Sequence, residues 1–164
     1  MDNLILDQNF IDQDFSKQKL PGNEYDNCEF VNCNFSEANM SITSFMECSF
    51  TDCNFTNVML KEASFKDNCL FKNCKLLGVN FSHCNPFMFS VSFDGCVLDY
   101  ASFYAFELKN TSFNNCKLLE TDFVESDITG SIFNNCDLTK LFLNKPTLKK
   151  SILAQPLIIQ STQK

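Results

Sequence analysis

Ten cysteines and one histidine, His83, are the residues of this chain best suited to chemistry. Thiolates and imidazoles bind zinc, and a cysteine next to a base can act as a nucleophile. Three cysteine pairs share a C-x4-C spacing, at 28/33, 48/53 and 69/74, but a zinc site needs further cysteine or histidine ligands. His83 and Cys84 are adjacent, and adjacent side chains seldom face each other. We therefore expect no catalytic residue, no metal and no cofactor.

A strict repeat determines where these cysteines lie. Every fifth residue is apolar from Phe10 to Phe65, the series continues at Phe71 after one inserted residue, and it resumes at Met88 after two more. It ends at Ile158, and all thirty of its positions are apolar, fifteen of them Phe. A period of five matches neither an amphipathic helix, at about 3.6, nor a single strand, at about 2. The chain must therefore change direction every five residues.

Small residues form a second register, two positions before each large apolar residue. Nine of the ten cysteines fall in this register, with Ala, Thr, Val and Ser at most other positions and Phe106 as the large exception. Side chains two residues apart on an extended backbone point to the same side. The cysteines therefore act as small buried hydrophobes. Cys84 falls outside the register and is predicted to be the exposed, reactive thiol.

The cysteine spacing also indicates the size of one turn. Cys28 and Cys48 are 20 residues apart, as are Cys33 and Cys53, and Cys96, Cys116 and Cys136 continue this spacing. Four corners of five residues close a square coil of 20 residues. Stacked coils then pair as parallel strands, so the sequence predicts an all-β solenoid of about seven coils.

The segments CNFSE at 33–37, CNFTN at 53–57, VNFSH at 79–83, TDFVE at 121–125 and CDLTK at 136–140 resemble the A(D/N)LXX pattern of the pentapeptide-repeat family. The resemblance covers roughly residues 25–143. It implies a right-handed quadrilateral parallel β-helix. It also implies a non-enzymatic protein-binding role, because some members bind DNA gyrase and protect it from quinolones.

The ends of the chain depart from the pattern. We expect a single domain over residues 1–164, with a capping coil over about 1–24, repeats over about 25–143 and an irregular segment over 144–164. Polar residues at Gln8, Gln13 and Gln18 suggest the cap, because repeat stacks need a shielded end. The apolar segment 151–160 is expected to form the last coil, to cap the open edge or to pair with a second copy. The candidate residues for self-association as a homodimer are Ile152, Leu153, Leu157, Ile158 and Ile159.

The break in the repeat at 82–90 is the second candidate site. Two extra residues there place Pro86, Phe87 and Phe89 outside the main register, as a corner bulge or as a loop that contacts a partner. The residues assigned to this partner-binding loop are His83, Cys84, Asn85, Pro86 and Phe87.

Charge supplies the third candidate site. The chain carries a net charge of -7 with 13 Lys and 20 acids, which disfavours direct binding of nucleic acid. An acidic rod of roughly duplex width can imitate DNA, whereas the plainer interpretation is that the acids keep a Phe-rich rod soluble. The residues assigned to the acidic surface are Asp94, Asp99, Glu107, Glu120 and Glu125.

These features favour a protein partner, with DNA gyrase or a related topoisomerase as the candidate. The alternative is a structural scaffold with no topoisomerase role. The start, MDNLILDQNF, lacks a basic region and a long apolar core, and no apolar run reaches the roughly 18 residues of a membrane helix. We therefore expect a cytoplasmic protein, without a membrane partner.

Overall fold

The computed structural model describes residues 3–21 and 23–144. Short strands at regular intervals make up its regular structure, together with one 3-10 turn, Phe81–His83. The strands are β1 (Leu4–Leu6), β2 (Asn9–Ile11), β3 (Glu24–Asp26), β4 (Glu29–Val31), β5 (Ser44–Met46), β6 (Ser49–Thr51), β7 (Ser64–Lys66), β8 (Cys69–Lys72), β9 (Val91–Asp94), β10 (Ser112–Asn114) and β11 (Ile132–Asn134).

All strand pairs are parallel and join residues one coil apart. Phe10 pairs with Phe30 and Phe30 with Phe50, each at a separation of 20 residues. The seven-stranded sheet, ordered β11-β10-β9-β8-β6-β4-β2, spans six turns and therefore seven levels. Single-residue bridges, such as Asn34 with Asn54, continue the same pairing on the sides that carry no named strand. The predicted parallel β-helix is confirmed.

Each coil has four sides, which we number by the large residues that point inward. The first side carries Ile5, Tyr25, Phe45, Phe65, Leu108 and Ile128; the second carries Phe10, Phe30, Phe50, Phe71, Phe93, Phe113 and Phe133; the third carries Phe15, Phe35, Phe55, Leu76, Leu98, Leu118 and Leu138; and the fourth carries Leu20, Met40, Leu60, Phe81, Phe103, Phe123 and Leu143. Since four corners close one turn, the second and fourth sides face each other across the core.

The corners explain the five-residue period. Outside the break at 82–90, the residue two positions after an inward residue adopts a positive φ, as at Asn32 (51°), Asp52 (55°) and Gly95 (66°). Asn, Asp and Gly are the residues that tolerate this conformation best. Asn or Asp just before the inward residue helps to hold the corner, since the Asn34 and Asn54 side-chain oxygens each accept a backbone N–H two residues on.

Stacked aromatic rings fill the core. Along the second side, the Phe30 and Phe50 ring centroids lie 5.0 Å apart at 11°, and those of Phe50 and Phe71 lie 4.9 Å apart at 14°. Rings on neighbouring sides meet edge to face, as do Phe50 and Phe55 at 79°. Both geometries are favourable for aromatic pairs, so each ring gains contacts within its level and between levels.

The small register lies beside these rings and bonds to the backbone. The Cys53 Sγ lies 3.4 Å from the Phe30 carbonyl oxygen, and the Ser126 hydroxyl donates to the Phe103 carbonyl at 2.6 Å. At the first level, the Gln8 and Gln13 amides donate instead to carbonyls of their own coil, at 3.0 and 2.9 Å. This arrangement suits the end of a stack, and the capping role of residues 1–24 stays a prediction.

The predicted register is wrong at the break. Met88 is 56% exposed, whereas the ring of Phe89 packs inward, 4.8 Å from Phe106 and 6.2 Å from Phe65. The 3-10 turn and the turn that follows use up the extra residues, so Phe89 replaces Met88 as the inward side chain. Phe106 fills space next to Phe89, which explains the one large residue in the small register.

Candidate interaction surfaces

The residues of the predicted partner loop divide into exposed and buried groups. Phe87 is 67% exposed, Pro86 and His83 are exposed, and Asn85 is half-buried with its side-chain oxygen accepting the Phe87 N–H at 2.9 Å. His83 Nε2 lies 3.3 Å from Asn80 Nδ2. Phe87 therefore projects from a corner that local hydrogen bonds hold in shape.

Cys84 contradicts the prediction of an exposed, reactive thiol. It is 4% exposed, and burial raises its pKa, so it stays protonated and poorly nucleophilic. The 3-10 turn directs the Cys84 side chain inward. This side chain fills part of the space on the first side where a repeat centre is missing. Among the described cysteines, Cys136 at the last level is the one that is not fully buried.

The remaining cysteines behave as core residues. Six of them, Cys33, Cys53, Cys74, Cys96, Cys116 and Cys136, stack in one column beside the third side. Burial raises the pKa of Cys48 to about 12 and that of Cys69 to about 11. Within residues 3–21 and 23–144, no group of three His, Cys, Asp or Glu residues is arranged to hold a metal ion.

The five acids predicted to form one surface lie on different sides of the rod. Asp94 lies on the second side, Asp99 on the third and Glu107 on the first, while Glu120 and Glu125 lie at the two corners of the fourth. Some of them also stabilise the fold. Asp99 accepts the Leu119 N–H at 3.0 Å, and Glu120 pairs with Lys140 at 3.5 Å.

A different set of acids does share one side. Acidic residues occupy both corners that flank the second side. Asp7, Glu47 and Asp67 lie at the corner with the first side, and Asp12 and Asp52 lie at the corner with the third side. Glu29, on β4, lies between these two rows. We call these six residues the acidic edge. On the described part of the second side, the first lysine is Lys72, at the fourth level.

Sequence reasoning missed the acidic edge because its members are separated by 20 or 40 residues. Comparing the position two after the inward residue at 20-residue intervals would have found five of its six members; Glu29 directly precedes the inward Phe30. Two members also belong to corner ladders, since Asn27 and Asn32 donate to Asp7 and Asp12, each at 2.7 Å. The acidic edge therefore combines a structural role with a concentrated negative charge.

The candidate self-association residues, Ile152, Leu153, Leu157, Ile158 and Ile159, lie outside the described residues, as does the remainder of segment 145–164. No helix in the described part of the chain is long and apolar enough to cross a membrane.

Two family models match the chain. The model for a pentapeptide repeat region covers residues 87–155, and the model for pentapeptide repeats, in eight copies, covers residues 28–67. A comparison with curated proteins found no match.

Solved structures that align with the chain include QnrB1, a plasmid-mediated fluoroquinolone resistance protein, after trypsin treatment. It is 19% identical over 93% of this chain and 100% of its own, with a TM-score of 0.40. HetL from the cyanobacterium Nostoc sp. strain PCC 7120, involved in heterocyst differentiation regulation, is 17% identical over 84% of this chain and 76% of its own, with a TM-score of 0.35. A protein of the Arabidopsis thaliana thylakoid lumen is 15% identical over 93% of this chain and 83% of its own, with a TM-score of 0.36.

Proposed function

Because the chain belongs to the pentapeptide-repeat family, whose fold is generally structural and non-catalytic, we propose that it acts by binding another protein. The rod presents flat sides of defined charge, and its rigid stacked core keeps the spacing of those charges constant. Such a surface recognises a partner with a matching charge pattern without any chemical step.

The acidic edge carries this proposal. Its six carboxylates span four levels, about 14 Å at ~4.8 Å per level, which gives roughly one negative charge per 2.4 Å. Duplex DNA carries about one charge per 1.7 Å of its axis. The two densities are similar enough for the second side to occupy a cationic protein groove that ordinarily holds DNA.

The candidate partner is therefore DNA gyrase or a related topoisomerase. The partner loop adds an apolar contact, because Phe87 projects from the first side, next to the second. Asp94 lies at the fifth level of the second side and extends the charged surface, whereas Asp99, Glu107, Glu120 and Glu125 face elsewhere.

Gyrase supercoiling in the presence of a quinolone tests this proposal. We expect the protein to restore supercoiling, or to inhibit it by competing with DNA. The triple variant Glu47→Gln, Asp52→Asn, Asp67→Asn should weaken the effect at least tenfold. The matched control, Glu37→Gln, Glu62→Gln, Glu125→Gln, removes the same charge from the corners of the fourth side and should have little effect.

Ionic strength provides an independent check, because exposed charges more than about 10 Å apart are screened at 0.1 M salt. Binding that is equally tight at low and high salt would contradict docking through the acidic edge. No effect on supercoiling at any concentration would remove the topoisomerase as partner. A scaffold role would then remain, with self-association through residues 152–159 as the first property to measure.

A further inference from the structure

The fourth side, across the core from the acidic edge, has a different character. Two shallow hollows of about 460 Å³ each share Ser41. The first lies along the fourth side, and the second extends over the corner to Lys66 on the first side. Met59, Lys61 and His83 line the first hollow, and Lys19, Ile42 and Lys66 line the second. We call the two together the lysine groove.

Positive charge in the lysine groove is uncompensated. Among the described residues, no carboxylate lies within ion-pair distance of Lys19, Lys61 or Lys66, although Lys17, Lys109 and Lys140 each have a partner. Glu24 is the one acid that lines either hollow. In a protein of net charge -7, three free ammonium groups along one groove favour a negatively charged ligand.

Apolar side chains lie between these lysines. Ile42 is 73% exposed and Met59 is 50% exposed. Ile42 also occupies a corner with a φ of 64°, a conformation that a β-branched residue adopts only at a cost. Nothing in the core requires isoleucine there. An exposed, strained apolar residue is therefore well placed to contact a ligand.

We propose that the lysine groove binds an acidic segment of a partner protein that also carries apolar side chains. The exposed apolar side chains favour a peptide, since a phosphate backbone has no apolar group that could pack against Ile42 and Met59. Three lysines are also few for nucleic acid against the negative charge of the whole rod. The chain's own segment 145–164 is excluded as occupant, because it contains four Lys and no acid.

Short fluorescein-labelled peptides test the proposal. They share a pair of leucines and differ only in having glutamate, glutamine or lysine at the remaining positions. We expect the glutamate peptide alone to bind. Lys19→Glu combined with Lys61→Glu should weaken its binding about tenfold or more, since reversing two charges replaces two attractions by two repulsions. The matched control, Lys72→Glu with Lys75→Glu, changes the same charge on the second and third sides and should leave the affinity within about twofold.

Backbone amide NMR shifts locate the site. On addition of the glutamate peptide, we expect shifts at Ser41, Asn57, Lys61 and Asn80. Absent binding, equal binding of the glutamine peptide, or shifts confined to residues that do not line the lysine groove would overturn the proposal. So would a single-stranded oligonucleotide that binds more tightly with the same lysine dependence, or a dimer of the free protein that Lys61→Glu disperses. The Lys19→Glu, Lys61→Glu variant changes only the fourth side and should keep its effect on gyrase, so this test and that of the acidic edge fail independently.

Discussion

Substituting Cys116 by leucine tests whether the small register is a steric requirement of the coil. Cys116 is 1% exposed and lies in the cysteine column between Cys96 and Cys136, with its Sγ 3.2 Å from the Asn114 carbonyl oxygen. Leucine replaces the sulfur atom by a branched carbon with two methyl groups, and the neighbouring coils leave no space for them. It also removes the weak S–H···O contact.

Overpacking of a close-packed core costs about 1–3 kcal/mol. We therefore expect Cys116→Leu to lower the free energy of unfolding by about 2 kcal/mol, which shifts a urea midpoint by roughly 1 M at a slope of about 2 kcal/mol/M. Circular dichroism at increasing urea concentrations measures this change.

The control for volume is Cys116→Ser. Serine is slightly smaller than cysteine and has the same shape, and Ser126 and Ser131 already occupy this register, where their hydroxyls donate to the Phe103 and Leu108 carbonyls. We expect Cys116→Ser to lie within about 1 kcal/mol of the parent. A leucine variant as stable as the parent, or a serine variant as unstable as the leucine one, would refute the steric explanation.

Three further predictions concern the corners and the buried thiols. Ile42→Asn should stabilise the protein by about 1 kcal/mol in thermal unfolding, because asparagine tolerates the positive φ; an unchanged or lower midpoint would count against strain at this corner. Gly95→Ala should cost about 2 kcal/mol in urea unfolding, since its Cβ would clash with the Asn73 Oδ1. Gly78→Ala has a similar φ, but its Cβ would lie 4.0 Å from the Asn57 Oδ1, so it should cost about 1 kcal/mol; equal costs would exclude the clash. Burial raises the pKa of Cys69 to about 11, so the contribution of this thiol to the free energy of unfolding is intact below the unfolded thiol pKa of about 9 and is lost as pH rises through 11. The free energies of unfolding at pH 8 and at pH 10.5 should therefore differ less in Cys69→Ala than in the parent. An identical pH dependence in that variant would disprove the role of this thiol.

In the regular repeats, the sequence by itself determined which residues lie inside. The apolar residue at every fifth position and the small residue two before it are local signals. Side chains two residues apart on the same extended side of a coil point the same way, so both point inward. The parallel coil of 20 residues and the packing role of the cysteines followed from the same spacing. No long-range information was needed, because each repeat meets only its neighbours above and below.

Tertiary structure alone decided which outward residues share a side. The inserted residues lengthen the pairing distance from 20 residues to 21 between β6 and β8 and to 22 between β8 and β9, so the row that a later outward residue joins depends on how the chain absorbs them. This register pairs Asp94 with Lys72 on the second side. At the break, packing of Phe89 against Phe106 chose the inward side chain and buried Cys84, because the core there accepts whichever group fills the space left by a missing repeat centre.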